Sequence, residues 1–468
     1  MNSTRPLRVL LALLTLLLVA SACGADDDDA ATSDGDTGPA GAFAADTTTV
    51  DSGAGDASAG DSGTTRTAEE ESDAIDEVDA EMAVDAAAED IAPPEGDDLI
   101  EPAPEPQPQP EVGLLTAADI DDNLNLSYFA DIVADWQQAE GRDVPFVDLR
   151  DRVVIDVVGD NGVGVGNLAL TITAGQSSRI VVTDSAGRAH VYPAWLGLDP
   201  ADGMEVRTGA EQWSLAEEDI AAGAAQLTLE GGDTTPPGSL DVALVLDVTG
   251  SMADELRYLA VEFESIVAEI EADYGNVDLR FALVVYRDEG DDFVTRTFDF
   301  TGDVAEMRTW LASQQANGGG DFPEAMDAAL VEAESLSWRT GDDVARVLVL
   351  NADAPPHDPR IEATFASARA LGEDGVRIYP LAASGVDRNA EFLMRAMAVT
   401  TGGRHLFLTG DSGIGGEKLE PKAQCYVVTG LDDLLYRVFA SELAGERIEP
   451  NEQQIIRTVG DYDRGVCA

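Results

Sequence analysis

From Asp241 onward, short apolar runs alternate with longer stretches in which apolar residues recur at helical spacing. The run DVALVLD, residues 241–247, is almost wholly aliphatic, which is typical of a strand buried on both faces of a sheet. The next stretch predicts a helix closed near Gly275, with an apolar face made of Leu256, Leu259, Phe263, Val267 and Ile270. Because this alternation continues, the pattern predicts an α/β fold with a doubly wound, mainly parallel sheet over residues 239–445.

Residues 113–235 show a different pattern. The segment LTAADIDDNLNLSYFADIVADWQQ is predicted to be helical, with Leu126, Phe129, Ile132, Val133 and Trp136 on one face. Short alternating runs such as RVVIDVV and NLALTITAG come next, divided by turn signals such as GDNGVG. We therefore predict a helix followed by a small β-sandwich, which resembles the immunoglobulin-like or transthyretin-like repeats of secreted bacterial proteins.

The N-terminus has the pattern of an export signal. A basic start precedes the mostly apolar run VLLALLTLLLVA, which is short for a membrane span. Two small residues then precede Cys23, and this arrangement resembles a bacterial lipobox. The resemblance implies a signal peptide at 1–22 and a lipid on Cys23. Because Gly24 stands where inner-membrane proteins have aspartate, it also implies the outer rather than the inner membrane of a bacterial cell envelope. An ordinary secretory signal cleaved nearby is the alternative.

The segment after the signal has an unusual composition. Residues 23–112 are rich in Asp, Glu, Ala, Gly and Pro and nearly devoid of aromatic residues. Such a segment buries too little apolar surface to offset its ordering entropy, so we expect a disordered acidic tether. Over all 468 residues the formal net charge is −62, which argues against nucleic acid or an anionic membrane surface as partner. Membrane contact is expected only through the N-terminal lipid.

The chain has three cysteines, at positions 23, 425 and 467. With Cys23 assigned to the lipid, an even pair remains, and an exported protein lies where disulfides persist. We therefore predict a Cys425–Cys467 bridge that ties down a C-terminal tail of residues 446–468. Two free buried thiols are the alternative.

Three loops of the predicted α/β domain follow strands and carry oxygen-bearing side chains. They are DVTGS, which begins at Asp247, NGGGDFPEAM, which contains Asp321, and LNADAPPH, which contains Asp353. Because ligands bind beyond the carboxyl ends of the strands in open α/β sheets, we expect the three loops to meet there. Alternate residues of a tight turn can direct one carboxylate and two hydroxyls to a common point, and hard divalent cations prefer such oxygen ligands.

Together these loops resemble those of von Willebrand factor type A domains, with DVTGS matching the D-x-S/T-x-S pattern. The resemblance implies a metal-ion-dependent adhesion site whose ligands are Asp247, Thr249, Ser251, Asp321 and Asp353, although most members have threonine where Asp321 stands. GGGDFPE and DAPPH are similar to a subset found in bacterial proteins and alpha-kinases. The expected ion is Mg²⁺, with Mn²⁺ and Ca²⁺ as alternatives.

Simpler interpretations of these acids stay open. Asp247 could cap the helix that begins near Met252, and Asp321 could point away from the metal and cap the helix that begins near Pro323. Asp288 in RDEGDD is interpreted as part of a solvated loop. No enzymatic activity is predicted, since the chain has three histidines and lacks HExxH, GxSxG and GxxxxGK motifs.

The sequence thus predicts a lipid-anchored protein of the bacterial envelope that carries a divalent-cation-dependent protein-binding module. The open coordination position of the ion would take an oxygen, commonly a carboxylate, from a protein ligand whose identity the sequence does not contain. The alternative is a scaffold or accessory subunit of an envelope complex, in which the metal is structural and the partner docks elsewhere.

Overall fold

The computed structural model describes residues 113–140, 147–149, 151–184, 186–231, 237–320, 322–341, 343–414, 416 and 418–467. The predicted signal peptide 1–22, Cys23, the acidic segment 23–112 and Asp321 lie outside these residues. No helix within the described ranges combines the length and the apolar character needed to cross a membrane.

The strands and helices occur along the chain in this order. The strands are β1 Thr116–Ile120, β2 Val153–Gly159, β3 Ala169–Ala174, β4 Ser177–Val182, β5 Arg188–Val191, β6 Glu205–Thr208, β7 Glu211–Ser214, β8 Ala224–Leu229, β9 Ser239–Asp247, β10 Asp278–Tyr286, β11 Thr295–Thr301, β12 Val344–Ala352, β13 Val376–Ala382, β14 His405–Leu408, β15 Tyr426–Gly430, β16 Arg457–Val459, β17 Tyr462–Asp463 and β18 Val466–Cys467. The helices are α1 Leu126–Glu140, α2 Pro193–Leu196, α3 Glu217–Ala222, α4 Ala253–Asp273, α5 Val304–Ser313, α6 Met326–Glu334, α7 Ile361–Glu373, α8 Arg388–Thr401 and α9 Leu431–Ala444.

A large sheet with the order β11-β10-β9-β12-β13-β14-β1-β15-β16 forms the centre of the fold. The run β10, β9, β12, β13 and β14 is parallel throughout. Alternate residues of β9 enter opposite cores: Val242 and Leu244 pack with α4, α5 and α9, whereas Ala243 and Val245 pack with α1, α6, α7 and α8. The predicted α/β class, with helices on both faces of a mainly parallel sheet, is confirmed.

The segment around residue 118 differs from its prediction. Residues predicted to begin a helix instead form β1, which pairs antiparallel with both β14 and β15 inside the large sheet. Ala117 and Ala118 are fully buried there, because small side chains fit a strand covered by helices on both faces. The helix starts only at Leu126 and packs on α8, where the rings of Trp136 and Phe392 stack at 4.5 Å. Residues 113–140 therefore belong to the large sheet's unit, whereas the prediction grouped them with the β-sandwich.

The small β unit lies between β2 and β8. Two sheets, β5-β2-β8 and β4-β3-β6-β7, share one apolar core. In β2 every second residue is buried, as expected for a strand with one face on a core. Pairing of β2 with β8 is parallel, which an immunoglobulin-like arrangement of antiparallel strands does not have. The unit contacts the large one through Arg377, whose Nη2 donates to the carbonyl of Thr183 at 2.6 Å.

The C-terminal tail is part of the same sheet. Strand β16 pairs antiparallel with β15, so the sheet continues past the predicted domain end at residue 445. Cys425 and Cys467 are joined by a disulfide with a Cα–Cα distance of 5.4 Å. The backbone N–H of Cys467 also donates to Oδ1 of Asn125 at 2.9 Å, which fixes the tail to the loop before α1.

Candidate metal site at the edge of the central sheet

The candidate site lies where the neighbouring parallel strands β9 and β12 end. Leu246 of β9 is paired in register with Asn351 of β12, so Asp247 and Asp353 lie at the same edge of the sheet. Both carboxylates are buried, with exposures of 0% and 4%. The two strand ends therefore place two acids together in a partly dehydrated environment.

The DVTGS turn brings a carboxylate and two hydroxyls together. Oδ1 of Asp247 accepts hydrogen bonds from the backbone N–H of Thr249 at 2.9 Å and from its hydroxyl at 2.7 Å. The hydroxyls of Thr249 and Ser251 lie 3.3 Å apart. Thr249 is buried and Ser251 is exposed, so the cluster runs from the protein interior to the surface.

Asp247 does not cap a helix in this arrangement. Helix α4 begins at Ala253, and Met252 at its N-terminal boundary makes no side-chain cap hydrogen bond. The Asp247 carboxylate bonds to its own turn instead. The structure therefore contradicts the simpler interpretation of this residue as a helix cap.

The glycine-rich loop is fixed against this turn by backbone contacts. The N–H of Asn317 donates to the carbonyl of Val248 at 3.0 Å, and that of Gly250 donates to the carbonyl of Gly318 at 3.2 Å. Gly318 has a φ of +83°, and a β-carbon built on it would lie 2.3 Å from a carboxylate oxygen of Asp291. Any larger residue would have to adopt this left-handed backbone and displace Asp291, which accepts a hydrogen bond from the N–H of Gly319 at 2.9 Å, so glycine is strongly favoured.

The electrostatics of the site favour a positive charge. Burial, and then the neighbouring Asp353, raises the pKa of Asp247 to about 7. Burial also raises the pKa of Asp353, against a hydrogen bond from Ser251 that lowers it. Burial, followed by Asp247 and Asp288, raises the pKa of Glu324 to about 9. Each shift comes from burial and from neighbouring acids, and a divalent ion at this place would compete with the protons that these carboxyls hold.

One unsatisfied atom tests whether the residues fit a cation. Oδ2 of Asp247 is buried and makes no well-formed hydrogen bond with the described residues, although the hydroxyl of Tyr286 lies near enough to lower the pKa of this carboxyl. Buried carboxylate oxygens are normally paired or coordinate metals. Asp247, Thr249, Ser251 and Asp353 also supply the oxygen donors that Mg²⁺ prefers, so the four residues fit the expected ion.

The described acids are not sufficient by themselves. Within the described ranges, no group of three or more His, Cys, Asp and Glu residues could hold a metal ion. An ion would therefore depend on the hydroxyls of Thr249 and Ser251 and on water. Asp321, the fifth predicted ligand, lies outside the described residues.

Sequence reasoning missed several acids around the site. Glu324 is buried, and Glu255 of α4 accepts hydrogen bonds from the backbone N–H and the hydroxyl of Ser384. Asp288, predicted to lie in a solvated loop, is only 6% exposed, and its Oδ1 lies 2.7 Å from Nε2 of His357. The signal for Glu324 was its place just after the glycine-rich loop.

Comparisons with known proteins agree with this geometry. A sequence model of the von Willebrand factor A domain matches residues 241–391. The chain is 33% identical over 121 residues to a putative ariadne-like RING finger protein, R811, of Acanthamoeba polyphaga mimivirus, covering 25% of this chain and 11% of that protein. It is 22% identical over 156 residues to the alpha-protein kinase vwkA of Dictyostelium discoideum, covering 33% of this chain and 24% of the kinase. The match thus spans about a quarter or less of each relative.

Two solved structures are also similar in part. One is the conserved hypothetical protein BatB of Bacteroides thetaiotaomicron, with 17% identity, a TM-score of 0.28, and coverage of 36% of this chain and 89% of that one. The other is an aerotolerance-related membrane protein of Bacteroides fragilis, with 15% identity, a TM-score of 0.29, and coverage of 44% and 98%. The matched sequence, the doubly wound sheet and the DVTGS turn at its edge lead to one conclusion: this chain carries a von Willebrand factor A domain, matched at residues 241–391.

Proposed function

We propose that the chain is a protein-binding module that depends on a divalent cation held by Asp247, Thr249, Ser251 and Asp353. The observation that carries the proposal is the buried carboxylate of Asp247 beside the converging hydroxyls of its own turn, with Tyr286 as the further protein group near it. Mg²⁺ is the proposed ion, with Mn²⁺ and Ca²⁺ as alternatives. No enzymatic activity is part of the proposal.

The four residues would contribute differently to ion binding according to their depth in the protein. Asp247 and Asp353 would supply charge from the buried end of the site, while Thr249 and Ser251 would supply neutral oxygens toward the surface. Because Ser251 is exposed, a ligand oxygen from another protein could reach the same point. A bound cation would offer an open coordination position to that oxygen.

The location of the module is proposed from the N-terminal pattern. Cys23 would carry a lipid in a bacterial envelope, with the outer membrane favoured over the inner, and residues 23–112 would hold the domain away from the bilayer. The charge of −62 supports a protein ligand rather than nucleic acid.

The experiment that tests the function has two stages. Calorimetric titration of the purified full chain with Mg²⁺ should detect binding by the wild type and none by Asp247→Ala. Affinity capture from the native envelope should then recover a protein in Mg²⁺ that is absent in chelator and absent with Asp247→Ala.

A matched control removes a charge elsewhere. Glu271 is exposed on α4, and Glu271→Ala should retain both ion and partner binding. Circular dichroism should show the same secondary structure in all three proteins. Partner capture that is undiminished by Asp247→Ala would contradict the adhesion function and favour a scaffold that binds elsewhere.

A further inference from the structure

Three arginines lie near Asp119, close to the edge of the central sheet opposite the candidate metal site. The metal site follows the carboxyl ends of β9 and β12, whereas Arg404 lies directly before the start of β14, which runs parallel to those strands. Arg437 belongs to α9, and Arg447 lies shortly after the end of that helix. We refer to Arg404, Arg437 and Arg447 as the arginine cluster.

The cluster shares the buried carboxylate of Asp119. Oδ2 of Asp119 accepts hydrogen bonds from Nη1 of Arg404 at 3.0 Å and from Nη2 of Arg447 at 2.8 Å. Burial by itself would raise the pKa of Asp119, but the positive charges of the three arginines hold it well below its usual range. Nε of Arg447 also donates to Oε1 of Glu449 at 2.6 Å. Three positive charges are therefore placed against two hydrogen-bonded carboxylates.

Each guanidinium group of the cluster keeps one nitrogen without a partner. Nη2 of Arg404, Nη1 of Arg437 and Nη1 of Arg447 are buried and make no hydrogen bond within the described ranges. Oδ2 of Asp121 lies 3.8 Å from Nη1 of Arg447, which is beyond hydrogen-bonding distance, and burial raises the pKa of Asp121. Because buried cationic N–H groups are costly without an acceptor, these nitrogens need one from outside the described chain.

Two members of the cluster line a cavity. Its volume is about 50 Å³, and Arg404 and Arg447 form part of its wall together with Asp121. Since one water molecule occupies about 30 Å³ in the liquid, the cavity has room for one small ion or for one or two waters. The cavity is therefore too small for an organic anion.

The other acids of the cavity wall have compensating contacts. Asp184 accepts a hydrogen bond from Nε of Arg188 at 3.1 Å. Oε2 of Glu442 lies 3.7 Å from Nη1 of the buried Arg377. Glu446 is exposed, so water and salt screen its charge. The positive charge of the arginine cluster is thus the part of this region that still lacks a counterion.

We propose that the cavity binds one small inorganic anion with the size and charge of chloride, held by Arg404 and Arg447. A monatomic anion accepts hydrogen bonds from any direction, so it can serve both guanidinium groups at once. Such charge-assisted contacts are roughly twice as strong as neutral ones. The ion would join the segment before β14 to the segment after α9, so the folded protein should become more stable as the chloride concentration rises. The inference does not depend on the proposed cation.

The test measures chloride binding by the purified full chain in two ways. The line width of the chloride NMR signal reports bound ion. The melting temperature is compared in sodium chloride and in sodium gluconate at equal ionic strength, because gluconate is too large for the cavity. The wild type should broaden the signal and should melt at a higher temperature in chloride, with an effect that saturates. Absence of broadening, or equal melting temperatures in the two salts, would overturn the proposal and assign the cavity to water.

The substitution Arg404→Lys separates the site from general effects of salt. Lysine keeps the positive charge and can still pair with Asp119, but it has no second nitrogen to donate to an anion. We expect chloride affinity to fall at least about 10-fold, the effect of losing one charge-assisted hydrogen bond. Arg308→Lys on the exposed face of α5 is the matched control and should keep the wild-type affinity.

Wild-type chloride affinity in Arg404→Lys would overturn the assignment of the ion to this cavity. If circular dichroism shows that Arg404→Lys does not fold, Arg447→Lys replaces it in the same two measurements. This variant likewise keeps a charge in the cavity wall and removes the planar fork. Wild-type affinity in Arg447→Lys would then contradict the inference.

Discussion

Arg395 of α8 pairs with Asp122 of the segment after β1 through two hydrogen bonds, from Nε to Oδ2 at 2.8 Å and from Nη2 to Oδ1 at 2.6 Å. Both side chains are buried, with exposures of 0% and 2%. The pair joins residues 273 positions apart, so it ties the N-terminal segment to the helix layer of the domain.

We predict that Asp122→Ala destabilises the domain by about 3 kcal/mol, the lower end of the cost of breaking a buried ion pair, because Glu391 at 3.2 Å and the carbonyl of Lys422 at 2.8 Å still contact the guanidinium of Arg395. Denaturant unfolding measured by circular dichroism gives this free energy. The control is Asp131→Ala on the exposed face of α1, which should change it by less than about 0.5 kcal/mol. Equal losses of stability in the two variants would show that the buried ion pair contributes no more to the free energy of unfolding than an exposed acid does.

The disulfide gives a second prediction. Cys425 and Cys467 are separated by 42 residues, and the bridge restrains the unfolded chain over that length. The paired replacement by serine should lower the free energy of unfolding by about 2–4 kcal/mol. Thiol titration of the unfolded, non-reduced wild type should find neither cysteine free. Two reactive thiols from these positions would contradict the bridge.

The burial of His405 should make the stability of the fold depend on pH. His405 is 1% exposed, and neither ring nitrogen has a hydrogen-bond partner among the described residues. Burial, and then the positive charge of Arg395, lowers the pKa of His405 well below its usual 6.5. The folded state thus prefers the neutral ring, so its stabilising contribution is complete above pH 6.5 and is lost as the pH falls below it.

The size of that loss is about 1.4 kcal/mol for each pH unit below 6.5, until the folded pKa is reached. His405→Phe, which keeps an aromatic ring beside Phe407, should remove this contribution from the pH dependence of unfolding. The measurement is the free energy of unfolding between pH 7 and pH 5 for both proteins. Parallel curves would mean that His405 is not the group that titrates.

The lipid anchor is tested by one substitution. Cys23→Ser removes the thiol that the lipobox resemblance assigns to the lipid. The protein should then appear in the soluble fraction or accumulate as an unprocessed precursor, which fractionation and intact mass show. Normal processing to a membrane-bound form by the variant would argue for another means of attachment.

Much of the central sheet was predictable because its signals are local. The aliphatic run at 241–247 and the helical period after it are properties of neighbouring residues. Strand β1 was not predictable, because TAADI has two small alanines and no run of β-branched residues. It becomes a strand only through pairing with β14 and β15, as with Ala117 opposite Leu408 and Thr429.

The residues of the candidate metal site were likewise predictable only where the signal is local in sequence. The DVTGS turn was predictable, because its three candidate metal ligands lie within five residues of sequence. Glu324 and Asp288 were not, because their burial depends on chain segments that are distant in sequence. Glu324 is held by Pro355, and Asp288 lies against His357, so each needs the folded sheet to bring its partner near.

The charge of Asp321 should affect which kind of protein ligand the candidate metal site prefers. The resemblance to von Willebrand factor A domains implies threonine at this position in most members. With Asp321 ionised instead, Asp247, Asp321 and Asp353 would set three negative charges against one divalent ion. The protein should then hold its ion more tightly before a partner arrives. It should also attract a partner carboxylate less, because the local charge is already overcompensated. A neutral or basic ligand is favoured, consistent with the net charge of −62.

The substitution Asp321→Thr tests whether this acid contributes charge to the ion. If Asp321 binds the ion, calorimetry should show weaker Mg²⁺ binding in the variant and stronger binding of acidic peptides to the Mg²⁺-loaded protein, since one negative charge has left the site. The helix predicted near Pro323 begins only at Met326, with Ala325 as its N-cap, so the alternative in which Asp321 caps it is wrong. If Asp321 does not bind the ion, Mg²⁺ affinity should match that of the wild type. Glu334→Gln, which removes one charge at the exposed end of α6, serves as the control for a loss of charge away from the site. Unchanged Mg²⁺ affinity in Asp321→Thr would therefore contradict the predicted preference for a neutral or basic ligand. An acid that does not contact the ion cannot determine which ligand oxygen the ion accepts.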